Sequence, residues 1–278
     1  MMTNNERYNA ERKAQSDLIK RDIERDKVLK ELYQASYNRM QSQINGFYMR
    51  YADKEGLSRA EAMRRASEFD VVEYKDRARK AVVEKDFSHG TNQWLRLFNL
   101  KMKVSRLELL KAELRLEIAS LISDVNEVFD EARESEYLAE FKRQAGILGN
   151  SAVNAVSRMR AILDADFYGQ NFSRRVWGRN GLHASMQKDV FSSLARIFTD
   201  MDGFKQERQR LAKKYNTSQT NAQRLLKTEI ARINADTELM MLKENNFTHL
   251  IYVAESGACD ICKPLDKKAV PINKAEKG

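Results

Sequence analysis

Two cysteines, Cys259 and Cys262, lie near the C-terminus in the stretch "ESGACDICKPLDKK", and the composition contains no others. Two thiolates separated by two residues commonly bind zinc, because this spacing lets both sulfur atoms point at one ion. They supply half of a tetrahedral site, and the nearest candidate for a third ligand is His249. The pair therefore predicts either a zinc half-site or two free thiols in a tight turn.

Other chemistry is less compatible with this stretch. A redox pair favours a helix that begins at the first cysteine, whereas the residues after Cys262 read "KPLDKK", which is typical of a turn. Zinc-dependent deamination needs His-x-Glu and Pro-Cys-x-x-Cys, but Ala258 precedes Cys259. The chain also lacks a nucleophile elbow, a phosphate-binding glycine loop and His-Glu-x-x-His. We therefore predict a protein that is not an enzyme.

The elements before the cysteines are predicted to be helices, because the two prolines, Pro264 and Pro271, both follow Cys262. The first helix is predicted over Asn4 to Tyr51, with a stop at "DKEGLSRAE", and a further stop is predicted at "FSHGTN". In this first helix, the apolar residues at helical spacing are Leu18, Val28, Leu32, Ile44 and Tyr48.

The strongest helical pattern runs from Trp94 to about Ala145. The stripe is broader than a two-stranded seam, which indicates a helix packed on two sides inside a bundle. Its members are Val104, Leu107, Leu110, Leu114, Ile118, Leu121, Val125 and Val128, widened by Leu109, Leu116, Ile122 and Phe129.

After this helix the pattern changes twice. A short helix from Ser151 to about Asp164 leads to "DFYGQNFSRRVWGRNG", which we interpret as a boundary. Helices are then predicted at Leu182 to Phe198, Lys205 to Tyr215 and Thr220 to Glu244, and "THLIYVAES" and "KKAVPI" are predicted as paired strands. The predicted fold is mainly α: an elongated helical bundle (residues 1–165), followed by a basic helical segment and a small α+β domain with the Cys-x-x-Cys turn (residues 166–278).

The positive charge is concentrated in one part of the chain. Of the formal net charge of +9, residues 167–234 carry 13 basic and five acidic side chains, a net of +8. Such a segment can neutralise DNA phosphates without reading sequence, and the alternative is a solvated helix face. The candidate nucleic-acid-binding residues are Arg174, Arg175, Arg179, Lys188, Arg208, Arg210, Lys213 and Lys214.

Several further features have a structural interpretation. Trp94, Leu97, Phe98 and Leu100 form either a partner-binding patch or, as we favour, part of the core, and Phe172 and Trp177 are interpreted in the same way. Glu229 and Arg232 are predicted to form an ion pair without a catalytic role.

The N-terminus "MMTNNERYNAERKAQ" has no apolar stretch, and the longest apolar run is "LIYVA". These observations predict a soluble protein of the cytosol with no membrane partner.

The stretch from Asn221 to Ile272 resembles the C-terminal domain of the phage Mu F-like minor head proteins, also called phage head morphogenesis proteins. "WLRLFNLKMKVSRLELLKAELRLEI" and "NFSRRVWGRNGLHASMQKDV" resemble members from phages of Gram-positive bacteria. Lys227 stands where the family has Arg, Lys267 where it has Gly, and the closing Pro-Pro-x-His-x-x-Cys-Arg-Cys is absent. The residues at the motif positions are Lys227, Thr228, Glu229, Arg232, Asn234, Cys259, Cys262, Leu265, Asp266, Lys267 and Lys268.

The resemblance implies a minor head protein that attaches to the portal vertex inside the virion head and assists head morphogenesis and DNA packaging or delivery. The implied partners are the portal protein, the major capsid or scaffolding protein and double-stranded DNA, and assembly would take place in the host cytoplasm. Cys259 and Cys262 would be half of a zinc knuckle completed beyond Gly278. The alternatives are a cytosolic helical DNA-binding protein with a zinc knuckle, and a toxin enzyme fused to a head domain.

Overall fold

The computed structural model describes residues 3–51, 80, 83–84, 89–149, 154–199 and 204–275. Within these residues, two short 3₁₀ helices, Lys263–Leu265 and Ile272–Lys274, accompany six α-helices and one two-stranded antiparallel sheet. None of these helices combines the length and the apolar character that a membrane span needs. The α-helices and strands are α1 (Asn4–Tyr51), α2 (His89–Leu148), α3 (Ala155–Leu163), α4 (Phe172–Trp177), α5 (Leu182–Thr199), α6 (Phe204–Glu244), β1 (His249–Ile251) and β2 (Ala269–Pro271).

The predicted fold class is confirmed: the chain is mainly α, and a small sheet follows the last long helix. The predicted strand pairing is also present, with Leu250 opposite Val270 and both cysteines in the connection. Helix α6 ends in a Schellman-type arrangement, in which Asn246 adopts a left-handed conformation (φ 58°). The Phe247 N–H donates to Leu242 O at 3.0 Å, which satisfies a carbonyl in the last turn.

The chain divides into two compact units that do not coincide with the predicted division at residue 165. Unit 1 contains Met1–Glu31, Asp124–Gly181 and Gln219–Gly278, and unit 2 contains Leu32–Ser123 and Leu182–Ser218. The long helices α1, α2 and α6 each contribute to both units. Long helices can do this because an amphipathic stripe continues along their length and can meet different partners at its two ends.

Unit 1 is built around apolar side chains from α2, α3 and α6. Tyr137 is fully buried, and its hydroxyl donates to Ala155 O at 2.8 Å, so the polar tip of the ring is satisfied. Helix α4 is capped by Asn171, whose side chain accepts from the Arg174 N–H at 3.0 Å. The main apolar cluster consists of Tyr137, Phe141, Ala145, Leu163, Ile233 and Met241.

Unit 2 contains buried tyrosines that pack edge to face. The Tyr33 and Tyr215 rings lie 6.4 Å apart at 81°, a geometry that aromatic pairs prefer. The Tyr33 hydroxyl lies 3.1 Å from the Ser218 hydroxyl, and burial raises the pKa of Tyr33 to about 12. Burial also raises the pKa of Tyr215. Apolar residues that are fully buried here include Met40, Ile44, Leu114, Ile118, Leu121, Ile122 and Leu211.

Two predicted helix boundaries differ from the structure. Helix α6 is continuous where the sequence predicted a break between Tyr215 and Thr220. Asn216, Thr217 and Ser218 favour turns, but here Thr217 bonds back to Lys213 O at 2.9 Å and Ser218 is buried against Tyr33. Helix α3 begins at Ala155, after Asn154 in a left-handed conformation, rather than at Ser151.

The apolar stripes were predicted largely correctly, with two errors. Leu116 is 71% exposed although it was placed on the widened stripe of α2, because its position turns away from the buried residues Leu114 and Ile118. In α1, Val28 is 43% exposed and its neighbour Leu29 is fully buried, whereas Ile44 is fully buried as predicted. The predicted stop at "DKEGLSRAE" lies outside the described residues. The same is true of eight predicted apolar side chains, those of Trp94, Leu97, Phe98, Leu100, Val104, Leu107, Leu109 and Leu110.

Candidate functional site

The cysteines lie on a compact turn between β1 and β2. The N–H groups of Cys262 and Lys263 both donate to Cys259 O, at 3.1 and 2.9 Å, so the four residues form one helical turn. Cys259 is exposed and Cys262 is half-buried. Hydrogen bonds from the backbone N–H groups of Cys262 and Ile261, and from the Cys262 thiol, lower the pKa of Cys259. A hydrogen bond to Cys262 raises the pKa of the Tyr252 hydroxyl.

A zinc ion would need more ligands than this turn provides. Among the described residues there is no group of three or more His, Cys, Asp or Glu side chains placed to hold a metal ion. His249 is exposed at the start of β1, where its Nδ1 lies 3.0 Å from the Thr248 hydroxyl. Cys259 and Cys262 therefore supply two ligands, and the described residues do not complete a zinc site.

The N-terminal part of α1 holds this connection through polar contacts within unit 1. Arg12 donates to Ala254 O at 2.6 Å and Gln15 donates to Val253 O at 3.1 Å. The Tyr8 hydroxyl donates to Asp266 at 2.9 Å, and the Ala254 N–H donates to the other oxygen of the same carboxylate at 2.9 Å. These bonds, first that from the Ala254 N–H, lower the pKa of Asp266, so the carboxylate is favoured.

Lys267 lies in the turn that precedes β2. Its φ is +63°, which places it in the left-handed region that glycine adopts without strain. The Lys267 ammonium lies 4.7 Å from the centre of the Tyr8 ring, a cation–π distance. The turn at residues 265–268 thus has the backbone conformation for which a glycine would be selected.

The motif residues Glu229 and Arg232 form the predicted ion pair, but the pair is buried. Glu229 is 2% exposed and Arg232 is 6% exposed, and Arg232 donates to both carboxylate oxygens, at 2.7 and 3.1 Å. Arg133 of α2, which is 7% exposed, donates to the same carboxylate at 3.3 Å. One buried carboxylate therefore lies between two buried guanidinium groups, and removing it would leave buried positive charge.

The two arginines also cap the end of α3. Arg133 donates to Leu163 O at 2.5 Å, and Arg232 donates to Ile162 O at 3.0 Å. The last carbonyls of a helix have no partner within the helix, and cationic donors satisfy them well. Glu229 thus fixes two arginines that join α2, α3 and α6, which is a structural role. Sequence reasoning did not find Arg133, since nothing in its local pattern marks a partner 96 residues away.

The remaining motif residues have separate environments. Lys227 pairs with Asp26 of α1 at 2.7 Å, and Thr228 is exposed. Asn234 lines a cavity in unit 1, and its buried Oδ1 has no hydrogen-bond partner in the part of the chain that the structure describes. The motif therefore combines a buried ion cluster with contacts to other helices of the same unit.

The eight candidate nucleic-acid-binding residues fall in both units. Arg174, Arg175 and Arg179 lie in unit 1, and the other five lie in unit 2. Arg174 and Arg179 are exposed, whereas Arg175 donates to Phe167 O and lies 4.9 Å from the centre of the Phe167 ring. The five in unit 2, Lys188, Arg208, Arg210, Lys213 and Lys214, are exposed, and Lys214 pairs with Asp189 at 3.0 Å.

No protein-family model, curated protein or solved structure matches the chain.

Proposed function

We propose that this chain is a phage minor head protein that associates with the portal vertex and assists head morphogenesis and DNA packaging or delivery. It acts as a non-enzymatic assembly component inside the head, and it contacts DNA without sequence preference. Its partners are the portal protein, the major capsid or scaffolding protein and double-stranded DNA.

The conformation of Lys267 is the observation that carries this proposal. The motif resemblance places a glycine at this position, and the chain adopts the left-handed conformation there although it has a lysine. A left-handed residue after Asp266 lets the Lys267 N–H donate to Tyr252 O at 2.8 Å, which closes the connection that carries the cysteines. The buried pair Glu229 and Arg232, at the motif spacing, gives the same domain a rigid helical support.

Association with portal rings tests the proposal. The full chain is expressed together with the portal protein of the same phage, and the lysate is treated with nuclease and sedimented at moderate salt. Co-migration of the chain with the portal rings is the expected result. If the chain stays at the top of the gradient and binds DNA by itself, the alternative of an independent helical DNA-binding protein replaces the proposal.

A double substitution tests the DNA contact, Arg174→Glu with Arg179→Glu. Both side chains are exposed, so the change should leave the fold intact while it removes two phosphate contacts. We expect at least a tenfold loss of affinity, and a slope of log K against log salt that is smaller by about 1.8, or ~0.9 for each phosphate contact. Fluorescence anisotropy with duplexes of two unrelated sequences measures both quantities.

The matched control is Lys30→Glu with Lys142→Glu. These exposed lysines lie in unit 1 outside the basic segment, and the double variant has the same net charge as the arginine variant. The control variant should retain a larger salt slope and a higher affinity for DNA than the arginine variant. Equal losses in the two variants would mean that overall charge, rather than residues 174 and 179, determines DNA binding. Arg175 is left unchanged because its contacts with Phe167 belong to the fold.

A further inference from the structure

The N-terminal segment, residues 4–31 of α1, is held in unit 1 mainly by polar contacts. Glu136 of α2 pairs with Arg21 at 2.5 Å and with Arg25. Among the large aliphatic residues of this segment Leu29 is fully buried and Leu18 is half-buried, whereas Ile19, Ile23 and Val28 are each more than 40% exposed. Because few apolar side chains hold the segment, its attachment depends on charge. Its further polar partners are Asp266, Ala254 O, Val253 O, Arg143 and Lys227.

A cavity of about 380 Å³ lies where this segment meets α2 and α6. Asn234 also lines it, and its buried Oδ1 lacks a donor among the described residues. The charged groups around the cavity come from all three helices. They are Glu11, Asp17 and Arg21 from α1, Glu136, Glu140 and Arg143 from α2, and Glu238 from α6.

The ion pairs among these charged groups do not include Glu238. Arg143 is shared between Glu11 at 2.5 Å and Glu140 at 2.6 Å. Asp17 pairs with Lys20 at 2.9 Å, and Glu136 is neutralised by Arg21 and Arg25. No ion pair or hydrogen bond from another described residue reaches the Glu238 carboxyl. An ionised Glu238 would place a third negative charge around the single guanidinium of Arg143.

The electrostatics of the cavity agree with this arrangement. Burial is the main cause that raises the pKa of Glu238, and the negative charges of Glu11 and Glu140 raise it further. Arg143 acts in the opposite direction, and the resulting pKa is about 7 instead of the ordinary 4.5. A protonated carboxyl is also a hydrogen-bond donor one helical turn from the unpaired acceptor of Asn234. Protonation of Glu238 therefore removes its repulsion with Glu11 and Glu140 and adds a hydrogen-bond donor.

We propose that protonation of Glu238 is a latch for the N-terminal segment: the segment packs against α2 and α6 while Glu238 carries a proton, and it detaches more readily once the proton leaves. The same segment supplies Tyr8, Arg12 and Gln15 to the connection that carries the cysteines. Opening of the latch thus also loosens the support of Cys259 and Cys262. The latch is independent of the proposed head function and would operate in any assembly that contains this chain.

The direction of the pH dependence follows from linkage. In the attached state Glu238 binds its proton up to a pH of about 7, whereas in a solvated, detached state the ordinary value of 4.5 applies. The attached state therefore binds more protons between these values, and attachment weakens as pH rises through the window. The contribution of Glu238 to attachment of the segment is largest below pH 4.5 and is lost above pH 7.

Amide hydrogen exchange of residues 4–31 in the full chain tests the latch. After correction for the intrinsic rates, we expect the opening equilibrium of this segment to increase roughly 30-fold between pH 5.5 and pH 8. Glu238→Gln keeps an uncharged side chain of the same shape at every pH, so its opening should change by less than about twofold. A wild-type segment that opens equally at the two pH values would overturn the proposal, as would an unchanged pH response in the variant.

Two further variants separate the latch from general effects of charge. Glu134→Gln removes an exposed carboxyl from α2 of the same unit and should keep the wild-type pH response. Glu11→Gln removes one of the charges that face Glu238 and frees Arg143 to pair with it, so the pH response should shrink. The Glu11 variant also provides a test if Glu238→Gln fails to fold. A full response in the Glu11 variant, or its loss in the Glu134 variant, would contradict the latch.

Discussion

Replacing Glu229 by alanine is expected to lower the free energy of unfolding by about 3 kcal/mol, a drop of roughly 6–12 °C in the melting temperature. The carboxylate is 2% exposed and accepts from two arginines that are themselves buried. Without it, Arg133 and Arg232 lose the buried carboxylate that they share at the junction of α2, α3 and α6. Arg232 retains Asp236 and Arg133 retains Asp130, which keeps the loss near the lower limit for a broken buried ion pair.

The matched control is Glu244→Ala at a surface pair in the same unit. Glu244 accepts from Arg158 at 2.5 Å, but both side chains are more than one-third exposed to solvent. Such pairs contribute about 0–1 kcal/mol, because water and salt screen them. Urea unfolding followed by circular dichroism measures both variants. Equal destabilisation by the two substitutions would show that burial does not set the strength of the Glu229 cluster.

The fold class was predictable from the sequence because helical periodicity is a local signal. The start of α1 and the strand pairing across the cysteines follow from spacing and side-chain type alone. The inward face of α1 was less predictable, since Val28 and Leu29 are both apolar and only the packing partners decide which of them is buried. The continuous course of α6 likewise depends on Ser218 meeting Tyr33, which lies 185 residues away.

The candidate site was predictable only in part. Glu229 and Arg232 are spaced for an ion pair, but their burial requires α3 to place its last carbonyls beside them. Arg133 carries no local mark of its role, because Glu229 and the Leu163 carbonyl, which it joins, come from other helices. The same applies to Glu238, whose environment is formed by Glu11 and Glu140 on two different helices. Charge concentration identified the basic segment, yet it did not separate exposed Arg174 from Arg175, which contacts Phe167.

Phe172 and Trp177 were both interpreted as core residues, and the structure assigns them different environments. Phe172 is 3% exposed, whereas Trp177 is 41% exposed. The Phe172 ring packs edge to face on Phe129, with centres 5.4 Å apart, and the Arg133 guanidinium lies 4.2 Å from its centre. Phe172 thus covers the arginine that joins Glu229 to α3, and its removal would create a cavity beside a buried charge.

Replacing Phe172 by alanine is therefore expected to cost about 3–5 kcal/mol, and replacing Trp177 by alanine no more than about 1 kcal/mol. Both residues lie on the same short helix and both changes remove an aromatic ring, so the helix propensity of the new residue is the same. Differential scanning calorimetry of the two variants makes the comparison without relying on tryptophan fluorescence. A loss for Trp177→Ala as large as that for Phe172→Ala would contradict the environments described for α4. If Phe172→Leu recovers most of the stability, volume rather than aromatic contact with Arg133 is the dominant contribution of this side chain.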